Sequence, residues 1–345
     1  MSANIETETY SVDAPQRVGL LTGVPRLLSD FGVPIDKVTD GLDFDPRAFQ
    51  DPEFRLPFAV AGRILARCAR ETGCDHFGLL LGAAHDFRIL GHPGGIMQHA
   101  PTLGAAMAEF VRLQPMNSRG AAAYLRRFDD AIVAGYGIYH RDAVGREQLY
   151  PLAMALAVNV VRKLTGGAAE PTEVHFSMRP PVDLKPYLAH FRAPLRFNQP
   201  ETGLILSNGA FDLPVVGANP HELVRIQKQI SPALAPEAMP WIDRVRHEMK
   251  PLLLRGEPTA SAMAAHFGLS LRTLTRRLSE EGSGFQTILA EVRYSAAREL
   301  LLLTDLPVGD VAQALSYAAH APFVEAFRRW SGMPPSAWRA ANAKS

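Results

Sequence analysis

Between residues 271 and 280 the chain carries three guanidinium groups, two of which share a helical face with a hydroxyl. Arg272, Thr275 and Arg276 are three and four residues apart on one face, while Leu274 and Leu278, also four apart, mark another. An arginine fork can donate to O6 and N7 of a guanine, and threonine offers a hydroxyl and a methyl. A second set lies downstream: His320, Val324, Glu325 and Arg328. There Arg328 offers the same fork, and Glu325 can accept from a cytosine amino group. The chemistry open to these residues is recognition of base edges in double-stranded DNA. The competing reading is a plain helical bundle with solvated arginines. What separates the two is whether each set sits on the second helix of a turn-helix pair.

The surrounding sequence supplies such pairs. Thr259 can cap a short helix that runs to Phe267, and Gly268 suits the left-handed residue that ends it. Ser270 is the next cap, opening the helix LRTLTRRLSEE. The pattern then returns. Ala264 maps to Ala312, Phe267 to Leu315, Gly268 to Ser316 and Leu269 to Tyr317, each offset by 48. Beyond the turn Leu274 maps to Phe323 and Leu278 to Phe327 at an offset of 49, so the second turn holds one extra residue. Between the units, Phe285, Ile288, Leu289, Val292, Ala296 and Leu300 trace one face of a long linker helix. A repeat of this kind is structural information.

These residues carry a resemblance. The segment resembles the DNA-binding domain of the AraC/XylS family of transcriptional regulators. The shared features are Ala264 with Gly268, RTLTRRL at 272–278, Arg293 followed by Ala297, Leu300 and Leu301, Val311-Ala312, and FVEAFRRWSGMPPSAWR at 323–339. The resemblance implies that Arg272, Thr275 and Arg276 of the first unit, with His320, Val324, Glu325 and Arg328 of the second, face DNA. It departs at Ser316, where the family usually has glycine, and at Ala318 and Ala319, where it has a small polar cap. Pro322 also replaces a small polar residue, but proline is tolerated in a first helical turn.

Composition agrees with a globular protein of two or three domains: 345 residues, 47% hydrophobic and 21% charged. Net charge is a weak signal. From Trp241 onward there are 13 Lys/Arg against 10 Asp/Glu, a balance of +3 in a chain of +1. The placement of the arginines, not their number, favours DNA. Cys68 and Cys74 fit no metal pattern and read as reduced, packed thiols. The polar, acidic opening MSANIETETYSVDAPQ is unlike a signal peptide, and LAMALAVNVV at 152–161 is too short to span a bilayer. We therefore expect a cytoplasmic protein with no membrane association.

Upstream, residues 1–16 read as a disordered arm and 17–90 as helical, with RVGLLTGVPRLLSDFG as one helix and PFAVAGRILARCARETG as the next. DFRILGHPGGIMQHAP at 86–101 reads as loop. From residue 121 the period changes to a hairpin about Asp129-Asp130, then a helix over REQLYPLAMALAVNVVRKLTGG, a strand over EVHFSMRPP, a short helix and two further strand-like runs. This order makes an α+β domain with a largely antiparallel sheet. It resembles the regulatory half of the AraC-type subgroup with an arabinose-binding type domain, through GxxxxxxPTLGAAM, EVHFSMRPP and the F-x(2)-P-L-R-F-N-x(5)-L run at 191–204. The label does not make arabinose the ligand, and effector-binding residues are not legible.

The expected organisation is an α+β effector-sensing and dimerisation domain over 17–217, a proline-rich linker over 218–240, and an all-α DNA-binding domain over 241–340. Helix-turn-helix units are expected at about 259–280 and 307–330. The function expected is a ligand-responsive regulator, by analogy an activator, with promoter DNA, a small-molecule effector, RNA polymerase and a second copy as partners. The alternative is an architectural or repressor-type DNA binder without effector. No cofactor is expected. An enzyme has no residue support: His92 and His99 flank a loop-like run, His221-Glu222 lacks the second histidine of HExxH, and there is no G-x-S-x-G elbow.

Overall fold

The computed structural model describes residues 14–141, 143–230, 239–256 and 258–342. The expected arm is therefore outside the described residues up to 13. Its last residues are not disordered: Pro15–Arg17 (β1) pairs antiparallel with Arg55–Pro57 (β2), and Arg17 is buried. The expected helix over 17–32 is split into a 3-10 turn, Val18–Leu21, and a helix, Val24–Asp30 (α1). Pro25 in the first turn of α1 has no N–H with which to continue an upstream helix.

Asp36–Thr39 (α2), Phe58–Thr72 (α3) and Phe77–Ala83 (α4) follow. The stretch expected as loop at 86–101 instead forms a 3-10 turn, Phe87–Leu90, and a helix, His92–His99 (α5). Pro93 sits in the first turn, where its missing N–H goes unneeded, so GHPGG opens a helix instead of a turn. Leu103–Leu113 (α6) is capped by Thr102, whose Oγ1 accepts from Ala105 N at 3.2 Å.

The sheet joins Ala121–Arg127 (β3), Ala131–Ile138 (β4), Glu173–His175 (β5), Leu195–Arg196 (β6) and Thr202–Ser207 (β7) in the order β3-β4-β7-β5-β6. The β5–β6 pair is parallel and the other pairings are antiparallel. The expected strand EVHFSMRPP is cut to three residues because Thr202 Oγ1 takes the Ser177 N–H at 2.9 Å, and Pro180 and Pro181 have none to give.

Arg146–Leu164 (α7) is the central helix, apolar around most of its circumference and buried from Leu149 to Val161 at most positions. It lies unusually close to α4. A Cβ on Gly78 would fall 2.1 Å from Gln148 O, and one on Gly82 2.3 Å from Leu152 O, so only glycine permits this approach. Lys185–Phe191 (α8) and Asn208–Asp212 (α9) complete the layer, and Cys68, fully buried in α3, has its thiol pushed up to about 12 by desolvation. This is an α+β domain around one core.

Pro220–Ile230 (α10) packs Ile230 against Ile96 and Leu113. Of the expected linker over 218–240, residues 220–230 are this helix and only 231–238 lie outside the described residues. The remainder is all helix: Trp241–Leu254 (α11), Ala260–His266 (α12), Leu271–Glu280 (α13), Phe285–Leu303 (α14), Val308–Ala314 (α15), His320–Ser331 (α16) and Pro335–Asn342 (α17). Two separate cores share α14. Its first half, Phe285 to Val292, packs with Met249, Met263, Leu274 and Leu278; its second, Ala296 to Leu301, packs with Val311, Phe323, Phe327 and Trp338. The linker helix is thus a common beam, which is what its unbroken apolar stripe requires.

Candidate nucleic-acid interface

Each turn is built by the same hydrogen bonds. In the first unit Gly268 N donates to Ala265 O at 2.9 Å and Leu269 N to Ala264 O at 2.8 Å. In the second, Ser316 N donates to Gln313 O at 2.9 Å and Tyr317 N to Ala312 O at 3.0 Å. Both are left-handed helix ends with the pairing expected of a Schellman motif. Gly268 has φ +64° and Ser316 φ +57°. The serine carries a Cβ into a conformation that costs roughly 1–2 kcal/mol for an L-residue. Two contacts hold it there: its Oγ donates to Leu253 O in α11, and Arg293 of α14 donates to Leu315 O and Ser316 O, both at 3.0 Å.

The second helices begin differently. Ser270 Oγ accepts from Thr273 N at 3.2 Å, so α13 has a side-chain cap, as Thr259 gives α12 through Ala262 N at 3.1 Å. Ala319 at the start of α16 is extended and offers no side-chain acceptor. Leu274 and Leu278 are buried, as are Phe323 and Phe327, so each second helix presents its opposite face outward.

On α13, Arg272, Thr275 and Arg276 are all exposed and share that outer face. Two have local partners. Thr275 Oγ1 donates to Leu271 O at 2.9 Å, and Arg276 Nη1 pairs with Glu280 at 2.6 Å. Both groups of the Arg276 pair are more than half exposed, so water screens the pair and a phosphate or base can displace it cheaply. On α16, His320, Glu325 and Arg328 are exposed, whereas Val324 is only half-exposed and its contribution is correspondingly apolar. A guanidinium-bearing outer face with the opposite face welded to a core is the arrangement that lets a helix enter a major groove.

Other groups position these helices without showing in the sequence pattern. Glu281, just past α13, accepts from Trp241 N at 2.8 Å and Ile242 N at 2.9 Å, capping α11 with a carboxylate. Arg244 and Arg277 lie over the Trp241 ring at 3.7 and 4.3 Å, clamping α11 to α13. Arg246 bridges Asp243 and Glu291, at 3.1 and 2.9 Å. At the end of α12, His266 Nε2 lies 3.0 Å from the Glu248 carboxylate, and the hydrogen bond that this carboxylate accepts raises the imidazole above its ordinary pKa.

A buried cluster joins the two halves of the chain. Glu299 of α14, 1% exposed, pairs with Arg146 at 3.1 Å and with Lys250 of α11 at 3.4 Å, and accepts from Tyr150 Oη. Beside it Arg179 donates to Leu302 O and pairs with Asp305, while Asn198 Oδ1 accepts from Asp305 N at 2.9 Å. The sequence signal for Glu299 is a charged residue three places beyond Ala296 on an otherwise apolar stripe.

Comparison with known proteins gives the family. Residues 32–215 match the family model of the arabinose-binding domain of AraC transcription regulators, and 263–341 match a helix-turn-helix domain. The chain belongs to this AraC-type family. It is a helix-turn-helix DNA-binding transcriptional regulator with an N-terminal ligand-binding domain. An AraC-type relative, the ornithine utilization regulator of Pseudomonas aeruginosa, is 26% identical over 91% of this chain and 93% of its own. The transcriptional regulator VirS of Mycobacterium tuberculosis is 24% identical over 93% and 95%. The crystal structure of the transcriptional regulator CdpR from Pseudomonas aeruginosa superposes with a TM-score of 0.48 at 21% identity, covering 97% of this chain and all of that one. Among the described residues no helix is long and apolar enough to cross a membrane.

Proposed function

We propose that this AraC-type regulator is a ligand-responsive transcriptional activator that works as a homodimer in the cytoplasm. Residues 17–217 sense a small molecule and dimerise; residues 241–340 bind promoter DNA and contact RNA polymerase. Arg272, Thr275 and Arg276 read one major groove, and His320, Val324, Glu325 and Arg328 lie against the next, about 34–36 Å away. The observation that carries this reading is the repeated turn, hydrogen-bonded identically in both units, that presents an arginine-bearing helix each time. Rigid coupling of both helices through α14 suits two grooves on one face of the duplex. The test is selection of a bound fragment from promoter DNA, followed by in vitro transcription from it. Ligand-dependent stimulation with protection of two adjacent grooves is expected. Protection without any effect of the N-terminal domain on transcription would instead favour a purely architectural binder.

A further inference from the structure

A partly open space of about 100 Å³ lies in the N-terminal domain between the sheet and the helices packed on it. Its walls include Met107 and Phe110 of α6, Tyr124 of β3, Tyr136 of β4, and Leu152 and Leu156 of α7. At about 10–15 Å³ per water position this is room for roughly ten non-hydrogen atoms. Among its lining residues there is no Asp, Glu, Lys, Arg or His.

Polar side chains line it in few places: Gln16, Gln114, Asn117 and Ser118, and the tyrosines Tyr124 and Tyr136. Gln114 and Asn117 belong to a single turn, in which Asn117 N donates to Gln114 O at 2.8 Å. Gln114 is 2% exposed, and its Oε1 has no hydrogen-bond partner. Asn117 Oδ1 accepts from Arg17 Nη1 at 2.7 Å; because arginine only donates, the Asn117 amide is fixed with its nitrogen turned the other way. That Nδ2 is also buried and unpartnered. One unused acceptor and one unused donor therefore belong to the same turn of a chiefly apolar wall. A buried group left in this state is costly, and a ligand head that pairs with both relieves it. The nearby Arg17 is not available to a carboxylate, since its Nε and Nη2 are already bound to Glu53.

We infer that this cavity is the effector site and that it takes an uncharged, chiefly apolar molecule of about ten non-hydrogen atoms with a single hydroxyl or amide head. The inference rests on the proposal above that the N-terminal domain senses a small molecule. The head donates to Gln114 Oε1 and accepts from Asn117 Nδ2, while the chain or ring lies along α6 and α7. A pentose has the same number of heavy atoms but four hydroxyls. Those beyond the first would lose water without gaining partners, at roughly ten-fold in affinity or more for each. Occupancy has a route to the DNA-binding half: the Tyr136 ring meets Tyr150 edge-on at 6.3 Å, and Tyr150 bonds Glu299 in the linker helix.

The test is calorimetric titration of the full chain with 1-octanol, octanoate and arabinose as probes. Saturable 1-octanol binding is expected, with octanoate and arabinose at least ten-fold weaker. Ala157→Phe, which fills the cavity, should abolish it. Gln114→Met keeps the volume, so it stays informative if the larger substitution fails to fold, and it should weaken 1-octanol about five-fold. Preference for octanoate or arabinose, no binding of any probe, or binding indifferent to both substitutions overturns the inference. The same samples are then titrated with the selected promoter fragment. Octanol that fills this cavity but leaves DNA affinity unmoved upholds the site and overturns the effector reading instead.

Discussion

The two turn-helix units are one design executed with different means. The first follows local chemistry throughout: glycine at the left-handed position, serine at the cap, leucines inward. In the second, serine occupies the left-handed position, alanine the cap, and phenylalanines fill the core. Yet the turn hydrogen bonds are the same. What the second unit lacks locally it receives from elsewhere, through Leu253 O, Arg293 and the Arg179–Asp305 contact at the entrance to α15. Of these contacts only Arg179–Asp305 comes from the N-terminal domain; Leu253 and Arg293 belong to the helical half itself.

The most severe way to break the comparison is to cut the beam that both units share. Val292→Pro removes a hydrogen bond and forces a clash in the middle of α14, at about 3 kcal/mol or more. Affinity for a two-groove site should collapse while each unit keeps residual helicity, read by gel shift and circular dichroism. Unchanged affinity would mean that the units bind independently.

Next in size is the buried cluster. Glu299→Ala strands Arg146 and Lys250 in a dry site, which should destabilise by roughly 3–5 kcal/mol. Asp305→Ala removes an exposed pair and should cost under about 1 kcal/mol. Melting curves of the two variants should differ accordingly. Equal effects would show that the interface between the halves is wetter than the burial of Glu299 implies.

The turns give a finer contrast. Gly268→Ala should cost about 1–2 kcal/mol, because it adds a Cβ at φ +64°. Ser316→Gly should be near neutral, since relief of that strain offsets the lost bond to Leu253 O, worth about 1 kcal/mol. Ser316→Ala keeps the strain and loses the bond, so it should fall below both wild type and Ser316→Gly in denaturant titration.

Smallest are the caps. Ser270→Ala should destabilise by ~0.5–2 kcal/mol, and Ala319→Asp should stabilise by a similar amount. An aspartate without effect at 319 would show that the α16 terminus is already satisfied by water.

These contrasts mark where the sequence was legible. The repeat, both caps, the inward leucines and phenylalanines, the linker stripe and the hairpin at Asp129-Asp130 all follow from local spacing and propensity. The helix His92–His99 did not, because its glycines and proline read as turn chemistry until tertiary packing makes them an advantage. The partners of Glu299 and the cavity were invisible for a related reason. Each is assembled from residues far apart in the chain, and no local pattern records that Tyr150, Lys250 and Glu299 share one buried place. On the outer faces, residue types pointed to base recognition, but not to the Arg276–Glu280 pair.

The missing cap on α16 and the acidic Glu325 on its outer face lead us to propose that α13 and α16 are unequal readers of two adjacent grooves, with α13 dominant. Quantitative footprinting of the selected promoter fragment tests it most directly, comparing wild type with Arg272→Ala, Arg276→Ala and Arg328→Ala. The account predicts strong protection over one groove and weaker protection one turn away. Each substitution in α13 should weaken specific binding by about 1–3 kcal/mol and relax preference at one base position, while Arg328→Ala trims only the weaker half. Erasure of the footprint by Arg328→Ala, with both α13 variants unchanged, would contradict it.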